Sequence, residues 1–400
     1  MLLGGTEKLR DGAPDYGVPL HASLAAGLAA GADVVVDLSD EPVAGPRRRF
    51  RLASQVLAAG LPYVGADFRF DPVRFAPLDL PALAVIGSGK RVGKTAVAGH
   101  VARLLAQTRE VVVVAMGRGG PEEPVVSEPA PSVDDLLALS RAGAHAASDY
   151  LEDAALAGVV TVGARRCGGG LAGSPFVSNV EEAARLAASL GPDLVLLEGS
   201  GTAVPPVEAS ARVLVAGAHQ DPELVAGYLG AYRILLSDVV VLTGCEEPLA
   251  LPASLDALRA AIADVAPGVP VVATVLRPRP AADVTGRRVA FFSTAPSVVH
   301  ERLGRHLEQA HGAEVVLVSG SLARRFELRA ELETESARSA DVYLAEIKAA
   351  AIDVVAKAAA ARGIPVVFAD NAVVPLPGER SLDELVLALA DAAVAEKVPA

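Results

Sequence analysis

Hydrophobic positions along the chain come in short β-branched runs separated by longer Ala- and Leu-rich stretches. The runs are apolar throughout instead of alternating, which predicts strands covered on both faces. Their alternation with helical stretches predicts an α/β fold of parallel sheets with helical crossovers. A first series of strands is predicted at 82–86, 111–116, 159–162, 194–197, 213–216, 239–242 and 271–276. A second follows at 289–292, 314–318, 342–344 and 365–369, with helices between them at, for example, 95–107, 180–190, 298–309 and 349–362. Pro-rich breaks at 71–81 and at Arg277-Pro278-Arg279-Pro280 divide the chain into 1–78, 79–278 and 279–400. A third Pro-rich stretch, 117–131, reads as a long loop inside the middle unit.

The strongest motif is Gly87-Ser88-Gly89-Lys90-Arg91-Val92-Gly93-Lys94-Thr95. It follows a predicted strand and opens a predicted helix, the context a phosphate-binding loop requires. Backbone N–H groups of such a turn and of the helix N-terminus bind phosphate oxygens. Glycine at 87, 89 and 93 lets the backbone approach closely, Lys90 sits on the same loop, Lys94 reaches the β- and γ-phosphates, and the Thr95 hydroxyl is placed to ligate Mg²⁺. Ser88 stands where the strict pattern has glycine, and the spacing from Gly87 resembles the variant loop of dethiobiotin synthetase. Asp193-Leu194-Val195-Leu196-Leu197-Glu198-Gly199 supplies the companion acid, because Glu198 ends an apolar strand and would face the crevice at the sheet's carboxyl edge as a second Mg²⁺ ligand.

The formal charge, −12 from 36 Lys+Arg and 48 Asp+Glu, argues against a nucleic-acid partner, which needs an extended basic surface. A small polyanion needs only a local cluster of donors. Arg165-Arg166-Cys167-Gly168-Gly169-Gly170 offers two guanidinium groups and a Gly-rich turn after a predicted strand, and Arg118 would lie on the same rim as Lys94. Cys167 reads as a small packed residue, and Arg47-Arg48-Arg49 as a solvated face. His145 with Ser148-Asp149 reads as a packed or surface histidine at a helix end, and Thr243–Glu247 as a candidate base-contacting loop. Gly4–Leu9 and Asp37–Pro42 read either as ligand-facing loops or as ordinary turns. Two cysteines without CxxC spacing exclude a disulfide framework and point to a reducing compartment. The first residues lack the pattern of a signal peptide, and no apolar run approaches the roughly 20 residues of a membrane span.

Gly-Ser-Gly-Lys-Arg-Val-Gly-Lys-Thr-Ala (87–96), Ala-Met-Gly-Arg-Gly-Gly-Pro (115–121), Ala-Ser-Asp (147–149), Arg-Arg-Cys-Gly-Gly-Gly (165–170) and Leu-Glu-Gly-Ser-Gly (197–201) occur in that order. With Gly-Gly-Thr-Glu-Lys-Leu (4–9) and Phe-Ala-Asp-Asn (368–371), they resemble the cyclic 2,3-diphosphoglycerate synthetase family across nearly the whole chain. The resemblance implies a dethiobiotin synthetase-like P-loop NTPase domain with a parallel sheet. A short N-terminal α/β domain and a C-terminal Rossmann-like α/β domain would flank it. It also implies a cytoplasmic, Mg²⁺-dependent homodimer that uses ATP to close a phosphoanhydride within 2,3-diphosphoglycerate, with related activity toward 2-phosphoglycerate. Lys94, Glu198, Arg165 and Arg166 would be the catalytic set. Gly87, Gly89, Lys90, Gly93, Thr95, Arg118 and Gly168–Gly170 would bind nucleotide and substrate phosphates. Family members carry a further segment ahead of the Gly4–Leu9 stretch, so a first strand and its loop are expected to be truncated or lacking here. The competing readings are another ATP-dependent ligase or kinase of the dethiobiotin synthetase type and a P-loop switch or metallochaperone.

Overall fold

A computed structural model describes residues 18–397 apart from 144; Gly4–Leu9 lies outside the described residues. Three short strands, β1 (Val35–Val36), β2 (Tyr63–Val64) and β3 (Arg69–Phe70), form a small N-terminal sheet. The middle of the chain supplies β4 (Ala82–Gly87), β5 (Val111–Gly117), β6 (Val125–Ser127), β7 (Val160–Cys167), β8 (Val177–Ser178), β9 (Leu194–Glu198), β10 (Ala211–Gly217), β11 (Val239–Thr243) and β12 (Val271–Pro280). β13 (Arg288–Phe292), β14 (Glu314–Ser319), β15 (Val342–Glu346) and β16 (Val366–Pro375) follow.

These last thirteen strands make one continuous sheet in the order β14-β13-β15-β16-β12-β11-β10-β4-β9-β5-β7-β6, with β8 on β7. The run from β12 to β7 is parallel, as is the run from β14 to β16. Successive residues of β4, Leu83, Ala84, Val85 and Ile86, enter opposite apolar clusters, as the period of two dictates for a strand covered on both faces. β13 and β15 behave alike: Val289, Phe291, Val342 and Leu344 face one cluster, Ala290, Phe292, Tyr343 and Ala345 the other.

The two parallel halves meet at an antiparallel pair, Thr274–Pro280 of β12 against Pro375–Ala369 of β16. This geometry positions the site. β12 pairs with β11 only through Val271–Ala273, then runs beyond the carboxyl edge of its own half; β16 does the same after leaving β15 at Ala369. The carboxyl edges of both halves therefore face each other across a two-stranded ribbon.

Arg277–Pro280, expected as a break, is the distal half of β12. Proline is tolerated there because β11 no longer borders that side of the strand, and a missing N–H disrupts no ladder bond. Likewise 117–131 is not wholly loop, since Val125–Ser127 pairs antiparallel with β7. The N-terminal unit leans on the middle one through the helix Pro46–Ala58, where Phe50 meets the Tyr228 ring at 5.4 Å and the Ser54 hydroxyl donates to Tyr228 O at 3.2 Å. No helix among the described residues is long and apolar enough to cross a membrane.

Candidate functional site

The Gly87–Thr95 loop leaves β4 and enters the helix Lys94–Leu105 through Gly93, whose φ of +77° is a left-handed conformation. A Cβ at Gly93 would also meet Leu276 Cδ1 at 3.0 Å and Thr243 Cγ2 at 3.2 Å. The loop is tied to the neighbouring strand ends. Ser88 N–H donates to Val215 O at 2.9 Å and its hydroxyl to Gln220 Oε1 at 2.5 Å, while Thr243 Oγ1 donates to Val92 O at 2.7 Å. The Ser88 hydroxyl thus contributes a tether to the Gln220 turn after β10 that glycine would lack.

Lys94 is the first residue of its helix, and its ammonium forms a buried ion pair with Glu198 at the end of β9. Burial opposes the Lys94 charge, but Glu198 and Asp149 outweigh it and leave its pKa raised. Beneath the pair lies an acidic group from the helix Asp149–Ala157. Burial and the Glu198 charge push Asp149 and Asp153 up, and burial carries Glu152 up to about 8. Glu198 Oε2 and Asp153 Oδ2 are buried without a hydrogen-bond partner. Among the described residues no three or more His, Cys, Asp or Glu form a self-sufficient metal cage. A carboxylate with an unused oxygen and the Thr95 hydroxyl on the cleft wall are the donor types that suit Mg²⁺, which takes few protein ligands and completes its shell with phosphate and water.

A cleft of about 1160 Å³ opens over the loop. One wall holds Gly89–Thr95, Arg118, His145, Asp149, Ser200, Gly201, Thr243 and Glu246; the other, from the C-terminal half, holds Phe291, Thr294–Ser297, Gly320, Arg324, Glu346, Lys348 and Asn371. The site is therefore built by both halves, although no described residue of 18–78 lines it.

Of the residues singled out in the sequence, Gly89, Lys90, Gly93, Lys94, Thr95 and Arg118 share the cleft wall, with Glu198 buried behind Lys94. Gly87 lies below, where a Cβ would meet Gly201 O at 2.7 Å. Arg165, Arg166 and Gly168–Gly170 are not on the wall. Arg166 is buried, and its two terminal nitrogens donate to Gly168 O at 2.6 Å and Ser200 O at 2.9 Å. Arg166 thus braces the Ser200–Gly201 turn with two of its donors, while its Nε is buried without a hydrogen-bond partner. Gly170 N–H is likewise used, on Ser174 O at 2.8 Å. Arg165 Nε donates to Gly120 O at 2.7 Å from an otherwise exposed side chain.

Two minor expectations also change, and one is sharpened. Cys167, expected to be packed, is exposed. His145, expected to be packed or superficial at a helix end, is exposed and lines the cleft. Arg49, expected on a solvated face, pairs with Asp37 at 3.2 Å; Asp37 also accepts bonds from Ser39 and from Tyr63 Oη at 2.8 Å, which makes its loop local turn chemistry. Sequence reading did not find Asp149, Glu152 and Asp153 as a group. Their signal was helical spacing, with Asp149 and Asp153 one turn apart behind the noted Ala-Ser-Asp segment. It also did not find Glu346 and Lys348, whose only local signal is a strand end.

Comparison with known proteins gives the same picture. "Cyclic 2,3-diphosphoglycerate synthetase, P-loop domain" matches residues 82–275, the C-terminal domain of the same family 280–372, and its N-terminal domain 1–71. A relative from Rubrobacter xylanophilus named "Cyclic 2,3-diphosphoglycerate synthetase" is 54% identical over 404 residues, covering 98% of this chain and 90% of the relative. Relatives of the same name from Methanothermus fervidus and Thermococcus gammatolerans are 43% and 44% identical, covering 85% and 97% of this chain and 75% and 90% of their own. The chain belongs to the cyclic 2,3-diphosphoglycerate synthetase family.

Proposed function

We propose that this protein uses ATP to join the two phosphates of 2,3-diphosphoglycerate in an intramolecular phosphoanhydride, releasing ADP and inorganic phosphate. The observation that carries the reading is the buried Lys94–Glu198 pair at the floor of a cleft walled by both sheet halves, in a chain of this family. ATP docks its β- and γ-phosphates on the N–H groups of Gly89–Thr95, and Lys94 turns from Glu198 towards them. Thr95 and Glu198 would hold Mg²⁺, which when bound supplies charge neutralisation between the β- and γ-phosphates.

An oxygen of one substrate phosphate attacks the γ-phosphorus, and the β–γ bridging oxygen leaves with its electron pair on ADP. The other substrate phosphate then attacks the activated phosphorus, closes the ring and expels inorganic phosphate. Both attacking groups are already nucleophilic anions, so no side chain has to remove a proton. The chain's residues position and neutralise. Arg118 on the wall and the exposed end of Arg165 beside it hold substrate phosphates, and Arg166 keeps the Ser200–Gly201 turn in place. The same site would phosphorylate 2-phosphoglycerate at its free 3-hydroxyl, whose oxygen attacks the γ-phosphorus and whose proton passes to solvent while the β–γ bridging oxygen leaves on ADP. A cytoplasmic homodimer is the family's arrangement that we adopt for this chain.

³¹P NMR of the protein with ATP, Mg²⁺ and 2,3-diphosphoglycerate tests the reading. The expected result is a cyclic pyrophosphate signal with stoichiometric ADP and phosphate. ATP hydrolysis indifferent to the added substrate would overturn it. Replacing the substrate by 2-phosphoglycerate tests the second activity, and sedimentation tests the dimer.

A further inference from the structure

The acidic group beneath the P-loop has a second lysine, and it comes from the other half of the molecule. Lys348 follows the carboxyl end of β15, and its ammonium reaches across the cleft to Glu152 Oε1 at 3.4 Å on the helix Asp149–Ala157. Lys94 and Lys348 thus line one cavity from opposite walls, each resting on a carboxylate of the same cluster. The backbone around Lys348 is unusual. Ala349 has a φ of +48°, a left-handed conformation that alanine adopts at a cost, and the following helix opens with a π-helical segment, Ala351–Ala356. Such departures persist where the surroundings over-determine them, and they collect at functional positions. Glu346, two residues earlier, is held by Asn371 Nδ2 at 2.7 Å and by Thr294 N–H at 3.2 Å, so the strand end that presents Lys348 is fixed.

Resting on the reading above, we propose that Lys348 is a second catalytic cation, which leaves Glu152 when the cleft fills and contacts the phosphoryl group in transfer from the face opposite Lys94. The placement of the two lysines favours this. Lys94 and Lys348 line the cleft from opposite walls, and a reaction that brings the γ-phosphate against a further phosphate needs cations on both sides of the moving group. Lys348 gives and takes no proton. The electron pair of the broken bond stays on ADP, the substrate oxygen supplies the pair for the new bond, and the ammonium contacts the peripheral oxygens. The C-terminal half thereby completes the active site.

The test compares wild type with Lys348→Ala and Lys348→Gln, each first checked for an unchanged thermal midpoint. Glutamine keeps a hydrogen bond to Glu152 without the charge and serves where alanine does not fold. Turnover should fall on the order of 10²-fold with the KM for ATP changed by less than about five-fold. Lys348→Arg should recover part of the loss, because it restores the charge without the same reach. A second readout is independent of the substrate: aluminium fluoride should tighten ADP binding to wild type and not to Lys348→Ala. Turnover and fluoride response like those of wild type in a folded variant would overturn the proposal. Absence of a cyclic product from wild type, with the fluoride response still dependent on Lys348, would count against the substrate reading and support this one.

Discussion

Lys94 and Glu198 form a buried ion pair, so neither is dispensable alone. Removing the ammonium deletes the main contact to the β- and γ-phosphates and leaves a carboxylate fully buried without its partner. Lys94→Ala is expected to lower cyclic product formation on the order of 10³-fold in a coupled ADP-release assay, with some loss of thermal midpoint. Wild-type turnover in that variant would overturn the assignment. Glu152 gives a pH signature of the same cluster. Its carboxyl, ordinarily at 4.5, is carried up to about 8 by burial, reinforced by Asp149, Glu346 and Glu198 against Lys348. The folded state therefore binds this proton more tightly than the unfolded one. The associated stability is complete below 4.5 and is lost as the pH rises through about 8. The thermal midpoint of wild type should fall more steeply between about pH 5.5 and about pH 8.5 than that of Glu152→Gln, and parallel curves would show the proton to be elsewhere.

At the scale of elements, the turns that set the P-loop depend on close backbone approaches. A methyl at Gly87 would meet Gly201 O at 2.7 Å in a packed interior, and the carbonyl could move only with the turn that Arg166 braces. Gly87→Ala is expected to cost about 1–3 kcal/mol in denaturant unfolding and to weaken ATP binding, because the displaced turn borders the cleft. Thr243→Val, which keeps the shape and removes the bond to Val92 O, should cost roughly 1 kcal/mol with a smaller effect on ATP. Unchanged stability in both would mean that the loop is not anchored from β4, β10 and β11. This is also where the sequence was most legible. Apolar runs located where the long strands begin because burial on both faces leaves no polar position to blur them, whereas β7, β12 and β16 run on into polar residues as far as Cys167, Pro280 and Pro375; the loop was plain because Gly93, Lys94 and Thr95 are contiguous. Arg166 marks where the sequence stops: a guanidinium that binds phosphate and one that binds carbonyls look the same until the fold shows which acceptors are near. Lys348 was opaque because it joins Glu152 only through tertiary packing.

At the scale of the whole molecule, the antiparallel β12–β16 ribbon brings two carboxyl edges onto one cleft, and their mutual placement has to be held. Asp370 does part of this. It is buried on β16 and accepts from Arg103 of the helix Lys94–Leu105 at 2.8 Å and from Arg279 of β12 at 2.9 Å. One carboxylate thus links the helix that carries Lys94, the ribbon, and the strand that leads to Asn371 on the opposite wall. Its removal leaves the mostly buried Arg103 without its acceptor, the situation in which breaking a buried pair costs about 3 kcal/mol or more. Asp370→Ala should therefore lower stability by that order and reduce turnover, since Lys94 and the C-terminal wall no longer keep register. The pair Arg103→Met with Asp370→Leu separates the two effects. Apolar replacement of both partners removes the uncompensated charge, so stability should return towards wild type. Turnover should follow it if Asp370 acts by holding the halves together. Recovered stability with turnover still depressed would instead place Asp370 in direct electrostatic contact with the reaction, and no loss in either variant would show that the ribbon alone fixes the cleft.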